Sequence, residues 1–124
     1  MRDREHIEAV ALVSWARMSE ARFPELRNLY HIPNGGSRHP AVAGKLKAEG
    51  VRKGVSDYHL PVPVPGYIGL WIELKAPGGR ATPEQREWIA GMRALGHRAE
   101  VAVGWLEAVE IIKNYLEGNE CRST

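Results

Sequence analysis

The 124-residue sequence predicts an α/β fold built from layers of helices and strands. First, apolar residues near the N-terminus recur at helical spacing. Second, Tyr67 to Lys75 alternates between apolar and other residues, which is typical of a strand. Third, a helix-start signature at Thr82 to Gln85 is followed by another strand-like run, so a helix connects two strands that we expect to be parallel.

The N-terminal third predicts two helices and one short strand. A helix is expected from Asp3 to Glu20, because no Gly or Pro interrupts the apolar spacing there. Pro24 then breaks the pattern, and Leu26 to Ile32 is expected to be a strand that ends at the turn sequence PNGG. A second, short helix is expected from Pro40 to Glu49, with Gly50 as its C-terminal stop.

The middle of the chain predicts a β-hairpin. Asp57 to Val64 is expected to be a strand whose proline-rich end lies at an edge or in a loop. Tyr67 to Lys75 is expected to be the second strand, with Glu73 and Lys75 side by side on one face. The opposite face would enter the core through Ile68, Leu70, Ile72 and Leu74.

The C-terminal third predicts a helix, a strand and a helix. Thr82 is expected to be an N-cap, with Pro83 at the first helical position and Gln85 completing a capping box. Gly96 fits the C-terminal end of that helix. A strand from Arg98 to Val103 and an amphipathic helix from Leu106 to Leu116 follow, with Gly118 as the final stop.

Composition excludes several classes of protein. The chain is 44% hydrophobic and 26% charged, and no apolar run approaches the roughly 20 residues that span a bilayer. The charged N-terminus does not resemble a signal peptide. The single cysteine, Cys121, allows neither an internal disulfide nor a cysteine zinc site. We therefore expect a cytoplasmic, intracellular protein.

Positive charge concentrates in one segment, although the net charge is only +2. Its basic residues are Arg38, Lys45, Lys47, Arg52 and Lys53, and Glu49 is the only acid among them. Such a cluster could meet nucleic-acid phosphates. A solvated basic loop and helix explains the charge equally well.

Asp57, Glu73 and Lys75 form the pattern that carries chemistry. Two carboxylates on neighbouring strands of one hairpin could hold Mg²⁺, which prefers oxygen ligands and neutralises charge on a phosphodiester. Lys75, on the same face as Glu73, could steer the attacking water. Taken alone, however, Glu-x-Lys is more often a surface ion pair on a solvated strand face.

The combination of GVSD, WIELKAPGG and TPEQ resembles the virus-type replication-repair nuclease (VRR-NUC) domain. The Asn34-Gly35-Gly36 turn and the basic segment are included, so the resemblance covers nearly the whole chain. It implies a restriction-endonuclease-like PD-(D/E)xK core of order αβββαβ, with a mixed sheet flanked by helices. It also implies the stand-alone form found in phages and bacteria, with one domain at residues 1–118 and a tail at 119–124.

The resemblance also implies roles for individual residues. Asp57 and Glu73 would bind Mg²⁺ or Mn²⁺ together with the Leu74 carbonyl, Lys75 would be the catalytic lysine, and Gln85 would serve the site from its helix.

The family has an acid in its first helix, followed four residues later by glutamine. Glu5 matches that acid best and would be a further metal ligand, with Glu8 as an alternative. The glutamine position is Ala9 here, a departure from the family pattern. Either acid could instead complement the helix dipole.

The resemblance therefore implies a metal-dependent DNA nuclease that acts in DNA repair and forms a homodimer. Similarity to Holliday-junction resolvases favours branched DNA, with Asn34 and the basic segment contacting the backbone. Two other classes stay open: a DNA-binding module of the same fold without catalysis, and an α/β interaction domain with a surface ion pair.

Overall fold

A computed structural model describes residues 2–33 and 39–118 of the chain. Its elements are α1 (Arg2–Met18), a 3₁₀ helix (Pro24–Asn28), β1 (Tyr30–His31), α2 (Pro40–Ala48), β2 (Tyr58–Leu60), β3 (Leu70–Lys75), α3 (Pro83–Ala94), β4 (Arg98–Val103) and α4 (Trp105–Glu117). The PNGG turn with Asn34, Arg38, Cys121 and the tail at 119–124 lie outside the described residues.

The four strands form one mixed sheet in the order β1-β2-β3-β4. β1 and β2 pair antiparallel, as do β2 and β3, whereas β3 and β4 are parallel. Because α3 connects β3 to β4, the predicted helical crossover between parallel strands is confirmed.

Helices cover the two faces of the sheet unequally. α1 and α4 contact each other and pack with β3 on one face. The hydrophobic core lies there and includes Leu12, Leu60, Leu70, Ile72, Leu74, Ala102, Ile112 and Tyr115. On the opposite face, α3 packs against β3 and β4. Every residue of α2 is exposed or half-buried, so this helix adds little to the core.

The helix ends form where the local sequence predicts them. At the start of α3, Thr82 Oγ1 accepts a hydrogen bond from the Gln85 N–H, and Gln85 Oε1 accepts one from the Thr82 N–H, which completes the predicted capping box. α4 ends at Gly118, whose φ of 71° is a left-handed conformation that costs glycine little. None of the described helices is long and apolar enough to cross a membrane.

Three predicted strands are wrong in extent, and of the expected strand Asp57 to Val64 only Tyr58–Leu60 is strand. Leu26 to Ile32 is strand only at Tyr30–His31, because Pro24 starts a 3₁₀ helix that continues to Asn28 and buries Leu26. β3 begins at Leu70 rather than Tyr67, and Ile68 is 57% exposed instead of lying in the core. The antiparallel partner strand explains this, since β2 ends at Leu60, opposite Leu70. Prolines follow that position and cannot donate ladder hydrogen bonds.

Candidate active site

Glu73 and Lys75 lie in a strand that is buried on both faces. Glu73 is 2% exposed and Lys75 is 8% exposed, and Lys75 Nζ lies 3.4 Å from Glu73 Oε2. The two side chains therefore do not form a solvated surface pair. Their burial follows from the sheet, because α3 covers the face of β3 and β4 from which they project.

Asp57 lies directly before β2 and faces Glu73. Continuing the antiparallel register from Tyr58↔Ile72 by one residue places Asp57 opposite Glu73. The backbone N–H of Leu74 donates a 2.7 Å hydrogen bond to Asp57 Oδ2, which fixes the carboxylate against β3. The strands thus bring the three residues of the predicted pattern, Asp57, Glu73 and Lys75, together on one face.

The backbone of Asp57 is also held from β1. Its carbonyl accepts a 2.7 Å hydrogen bond from the N–H of Ile32, and His31 Nδ1 lies 3.0 Å from the same oxygen. His31 therefore contacts the main chain of Asp57 and the ring of Tyr58. These contacts give His31 a structural role, which is the usual role of a histidine in a short strand.

Burial perturbs the acidity of Glu73. Loss of water around the carboxyl group, then the nearby negative charge of Asp57 and a side-chain hydrogen bond with Asp57, raise the pKa of Glu73 from 4.5 to about 8. The ammonium group of Lys75 lowers this pKa again, but it offsets only part of the rise. At neutral pH without a cation, Glu73 is therefore largely protonated.

The same carboxyl group fits a divalent cation. Among the described residues, Glu73 Oε1 is one of the buried polar atoms without a hydrogen-bond partner. A buried oxygen without a partner is costly, and a hard cation that takes one or two carboxylates would satisfy it. Asp57 and Glu73 could hold Mg²⁺ or Mn²⁺ in this way. No group of three or more His, Cys, Asp or Glu that could hold a metal occurs within residues 2–33 and 39–118.

The two acids of the first helix differ in their contacts. Glu8 Oε1 accepts a 2.7 Å hydrogen bond from the N–H of Trp105, and so caps α4, whose N-cap residue Gly104 has no side chain to do so. Glu5 is half-buried in the first turn of α1. Neither acid joins Asp57 and Glu73 in a three-residue cluster of the described chain. Ala9 packs against the hydrophobic core.

Gln85 is occupied by its helix. Its side-chain oxygen accepts the Thr82 N–H at 2.8 Å, and its amide nitrogen is therefore the group that remains to face another partner. To take an additional role in the site, Gln85 must use that amide nitrogen or adopt a different rotamer. Gln85 thus belongs both to the capping-box signature and to the nuclease motif of the sequence.

The basic segment borders an open groove between α2 and α3. This groove has a volume of about 1070 Å³, and Lys47, Arg52 and Lys53 line it together with Glu84, Glu87 and Trp88. Lys45 is exposed but lies outside that lining. Gly54 packs the loop before Asp57 onto α3: its φ is 94°, and an added Cβ would lie 2.5 Å from the carbonyl oxygen of Glu84.

Sequence reasoning missed two groups of residues near the site. Arg4 donates a 3.4 Å hydrogen bond to the Pro77 carbonyl and so ties α1 to the loop after β3. Tyr30 and His59 form an aromatic row with Trp71, which lies two residues before Glu73 on the same strand face. This row can be identified only when the pairing of residues between neighbouring strands is known, and the sequence alone does not supply that pairing.

A four-stranded mixed sheet with flanking helices, and carboxylates beside a lysine on one strand face, define an α/β protein with a nuclease-like fold. The family model for the VRR-NUC domain matches residues 2–105. The chain belongs to the VRR-NUC domain family, which is of nuclease type.

A solved structure described as a VRR_NUC domain protein is similar over nearly its full length. The two chains share 27% identity with a TM-score of 0.78, and the match covers 91% of this chain and 88% of that one. No curated protein matches the chain. The expected α/β fold and the expected family are thus confirmed.

The raised pKa of Glu73 predicts a pH-dependent stability in the absence of metal. Between pH 4.5 and about 8 the native protein holds a proton on Glu73 that the unfolded chain releases, so the free energy of unfolding should fall as pH rises. Urea denaturation in EDTA across this range measures the slope. Glu73→Gln cannot titrate and should flatten it, whereas equal slopes in both proteins would contradict the assignment.

The capping box predicts separable effects at the start of α3. Thr82→Ala should lower the free energy of unfolding by about 0.5–2 kcal/mol, and Gln85→Ala should lower it in the same direction. Gln85→Glu is the matched control, because glutamate also completes a capping box. Urea denaturation and DNA cleavage are measured on each variant. A Gln85→Ala protein of unchanged stability that has lost cleavage would show that capping is not its main role.

Proposed function

We propose that this protein is a metal-dependent deoxyribonuclease that hydrolyses DNA phosphodiester bonds with Mg²⁺ or Mn²⁺. The observation that supports the proposal most directly is the buried Glu73 oxygen without a partner, which lies beside Asp57 and Lys75 on one strand face. Membership of a nuclease-type family adds to it.

Asp57 and Glu73 would hold the cation, with the Leu74 carbonyl as a further oxygen ligand. When bound, the cation supplies positive charge against the phosphate and lowers the pKa of water. The protein contributes the orientation: the Leu74 N–H fixes one oxygen of Asp57, and burial fixes the side chain of Glu73. Glu5 remains the proposed first-helix contribution, since the hydrogen bond from Trp105 already occupies Glu8.

Lys75 would act on the reacting phosphate. Its ammonium group lies 3.4 Å from Glu73 Oε2 and is nearly excluded from solvent, so its charge is screened little. In that position it can orient the attacking water and stabilise negative charge that develops on the phosphate. Gln85 would support the substrate or Lys75 from α3.

The basic segment would bind the DNA backbone. Lys47, Arg52 and Lys53 line the groove beside α3, and the loop that follows them leads directly to Asp57. Lys45, Asn34 and Arg38 belong to the same proposed contact. Such contacts recognise the charge of the phosphates and do not distinguish one base from another. They therefore favour recognition of DNA structure over sequence.

We further propose that the substrate is branched DNA and that the active form is a homodimer. Two sites in one dimer would face two strands of a junction. Cleavage of a synthetic four-way junction, compared with flaps, single strands and continuous duplex, tests this preference. Binding without cleavage of any of them would favour the inactive DNA-binding module instead.

Isosteric substitutions at the site test the assigned chemistry. Asp57→Asn, Glu73→Gln and Lys75→Met keep the volume of each side chain but remove its charge. We expect each to lower the rate of DNA cleavage by about 100-fold or more, because each removes a metal ligand or a phosphate-facing charge.

The matched control is Glu110→Gln, which neutralises an exposed acid on α4. Its cleavage rate should equal that of the wild type with Mn²⁺ and with Mg²⁺. Circular dichroism confirms that each variant is folded. A Lys75→Met protein with wild-type turnover would refute the role given to this lysine.

Neutralising the groove tests the DNA contact. For Lys47→Gln with Arg52→Gln, the slope of log affinity against log salt should become shallower by about 0.9 for each phosphate that the variant no longer neutralises. Fluorescence anisotropy with labelled DNA measures the slope. The control, Arg27→Gln with Lys113→Gln, removes two charges outside the segment and should leave it unchanged. An unchanged slope in the groove variant would refute the contact.

A further inference from the structure

Three aromatic rings from three neighbouring strands form one row across the sheet. The register pairs Tyr30 with His59 and His59 with Trp71. The imidazole of His59 stacks on the indole of Trp71, with centroids 3.9 Å apart and planes inclined by 9°. The Tyr30 hydroxyl lies 2.7 Å from His59 Nδ1, and the Tyr30 ring meets the His59 ring edge-on.

The row continues towards α3. The indole N–H of Trp71 donates a 3.2 Å hydrogen bond to His97 Nδ1, and Trp88 contacts the Trp71 ring edge-on at 5.3 Å. Burial, and then the proximity of His97, lower the pKa of His59. Trp88 also lines the groove between α2 and α3, so the row ends at the basic segment.

This row lies immediately beside the carboxylates. Along β2 and β3, His59 and Trp71 are each two residues from Asp57 and Glu73, which is about 7 Å along a strand and on the same face. That distance is comparable to the separation of a phosphate from the base of the nucleotide next to it.

Within the described chain, helix α3 covers the row at one end. α3 packs over β3 and β4, whereas Tyr30 belongs to the edge strand β1 and is 48% exposed. The Tyr30 ring is half exposed, so it adds little to the packing of the protein. Its orientation is nevertheless fixed, because its hydroxyl contacts the partly buried His59. A ring fixed in this way is preorganised to receive another flat group on its exposed side.

We propose that the exposed Tyr30 ring, at the open end of the row Tyr30–His59–Trp71, is a stacking platform for an unpaired DNA base beside the scissile phosphate. This inference rests on the proposed nuclease function, since it places the base next to Asp57 and Glu73. Aromatic rings bind bases of any sequence through their faces. In continuous duplex those faces are already stacked on neighbouring base pairs. The platform therefore selects DNA with unpaired nucleotides at the cleavage position, such as single strands, flaps and the open centre of a junction.

Binding of oligonucleotides that carry 2-aminopurine tests the platform directly, because the fluorescence of this base falls when it stacks. Single-stranded and duplex forms of one sequence are titrated with protein in EDTA, so no cleavage occurs. With wild-type protein, the single strand should be quenched and the duplex should not. Tyr30→Ala should weaken single-strand binding by about five- to 100-fold and remove the quenching, as stacking losses do elsewhere.

Two control variants separate stacking from other effects. Tyr30→Phe keeps the ring but loses the hydroxyl that His59 holds, so it should still quench, with single-strand binding weaker than in the wild type and stronger than in Tyr30→Ala. Met18→Ala removes an apolar side chain that is 82% exposed on α1, and should change nothing. Unaltered quenching in Tyr30→Ala, or equal quenching of single strand and duplex by the wild type, would overturn the platform.

The outcome is independent of catalysis. Quenching that depends on Tyr30 in a protein that cleaves no DNA would uphold the platform and refute the nuclease. Cleavage by a protein whose quenching does not depend on Tyr30 would refute the platform and leave the nuclease standing.

Discussion

Glu73 places a carboxyl group inside a strand that is buried on both faces, and its ion-pair partner in the described chain is Lys75 at 3.4 Å. Removing two charged groups from water costs more than their attraction usually returns, and apolar residues of similar volume are often as stable. The high pKa of Glu73 expresses that cost. Stability therefore does not explain why the pair is there, whereas the proposed cation on Glu73 and Asp57 would.

The fold supplies the conditions that this site needs. The parallel pairing of β3 and β4 requires a crossover, and the crossover helix α3 is what covers Glu73 and Lys75. The antiparallel pairing of β2 brings Asp57 opposite Glu73 from the other side. Because α3 stops at β3, the half of the same face over β1 and β2 lies beyond this helix. That half carries Tyr30 and His59, next to the carboxylates.

Local signals in the sequence predicted the parts of this structure that depend on neighbouring residues. The capping box at Thr82 and the glycine stop at Gly118 formed as expected, and the apolar spacing of α1 predicted that helix to within two residues. Contacts between distant segments could not be predicted. Glu8 caps a helix 97 residues away, and the burial of Glu73 depends on where α3 folds back. The proposed roles of Asp57, Glu73 and Lys75 came from a motif. Strand periodicity predicted that Glu73 and Lys75 share a face, and the strand register adds Asp57 to it.

Calorimetric titration with Mn²⁺ tests the central claim, that Asp57 and Glu73 form a cation site, most directly. Repeating the titration near pH 7 in buffers of different ionisation enthalpy counts the protons released on binding. Since the pKa of Glu73 is about 8 without metal, the wild type should bind Mn²⁺ and release close to one proton. Glu73→Gln should bind far more weakly and release none. Mn²⁺ binding of equal strength in both proteins without proton release, or no binding by the wild type, would contradict the account.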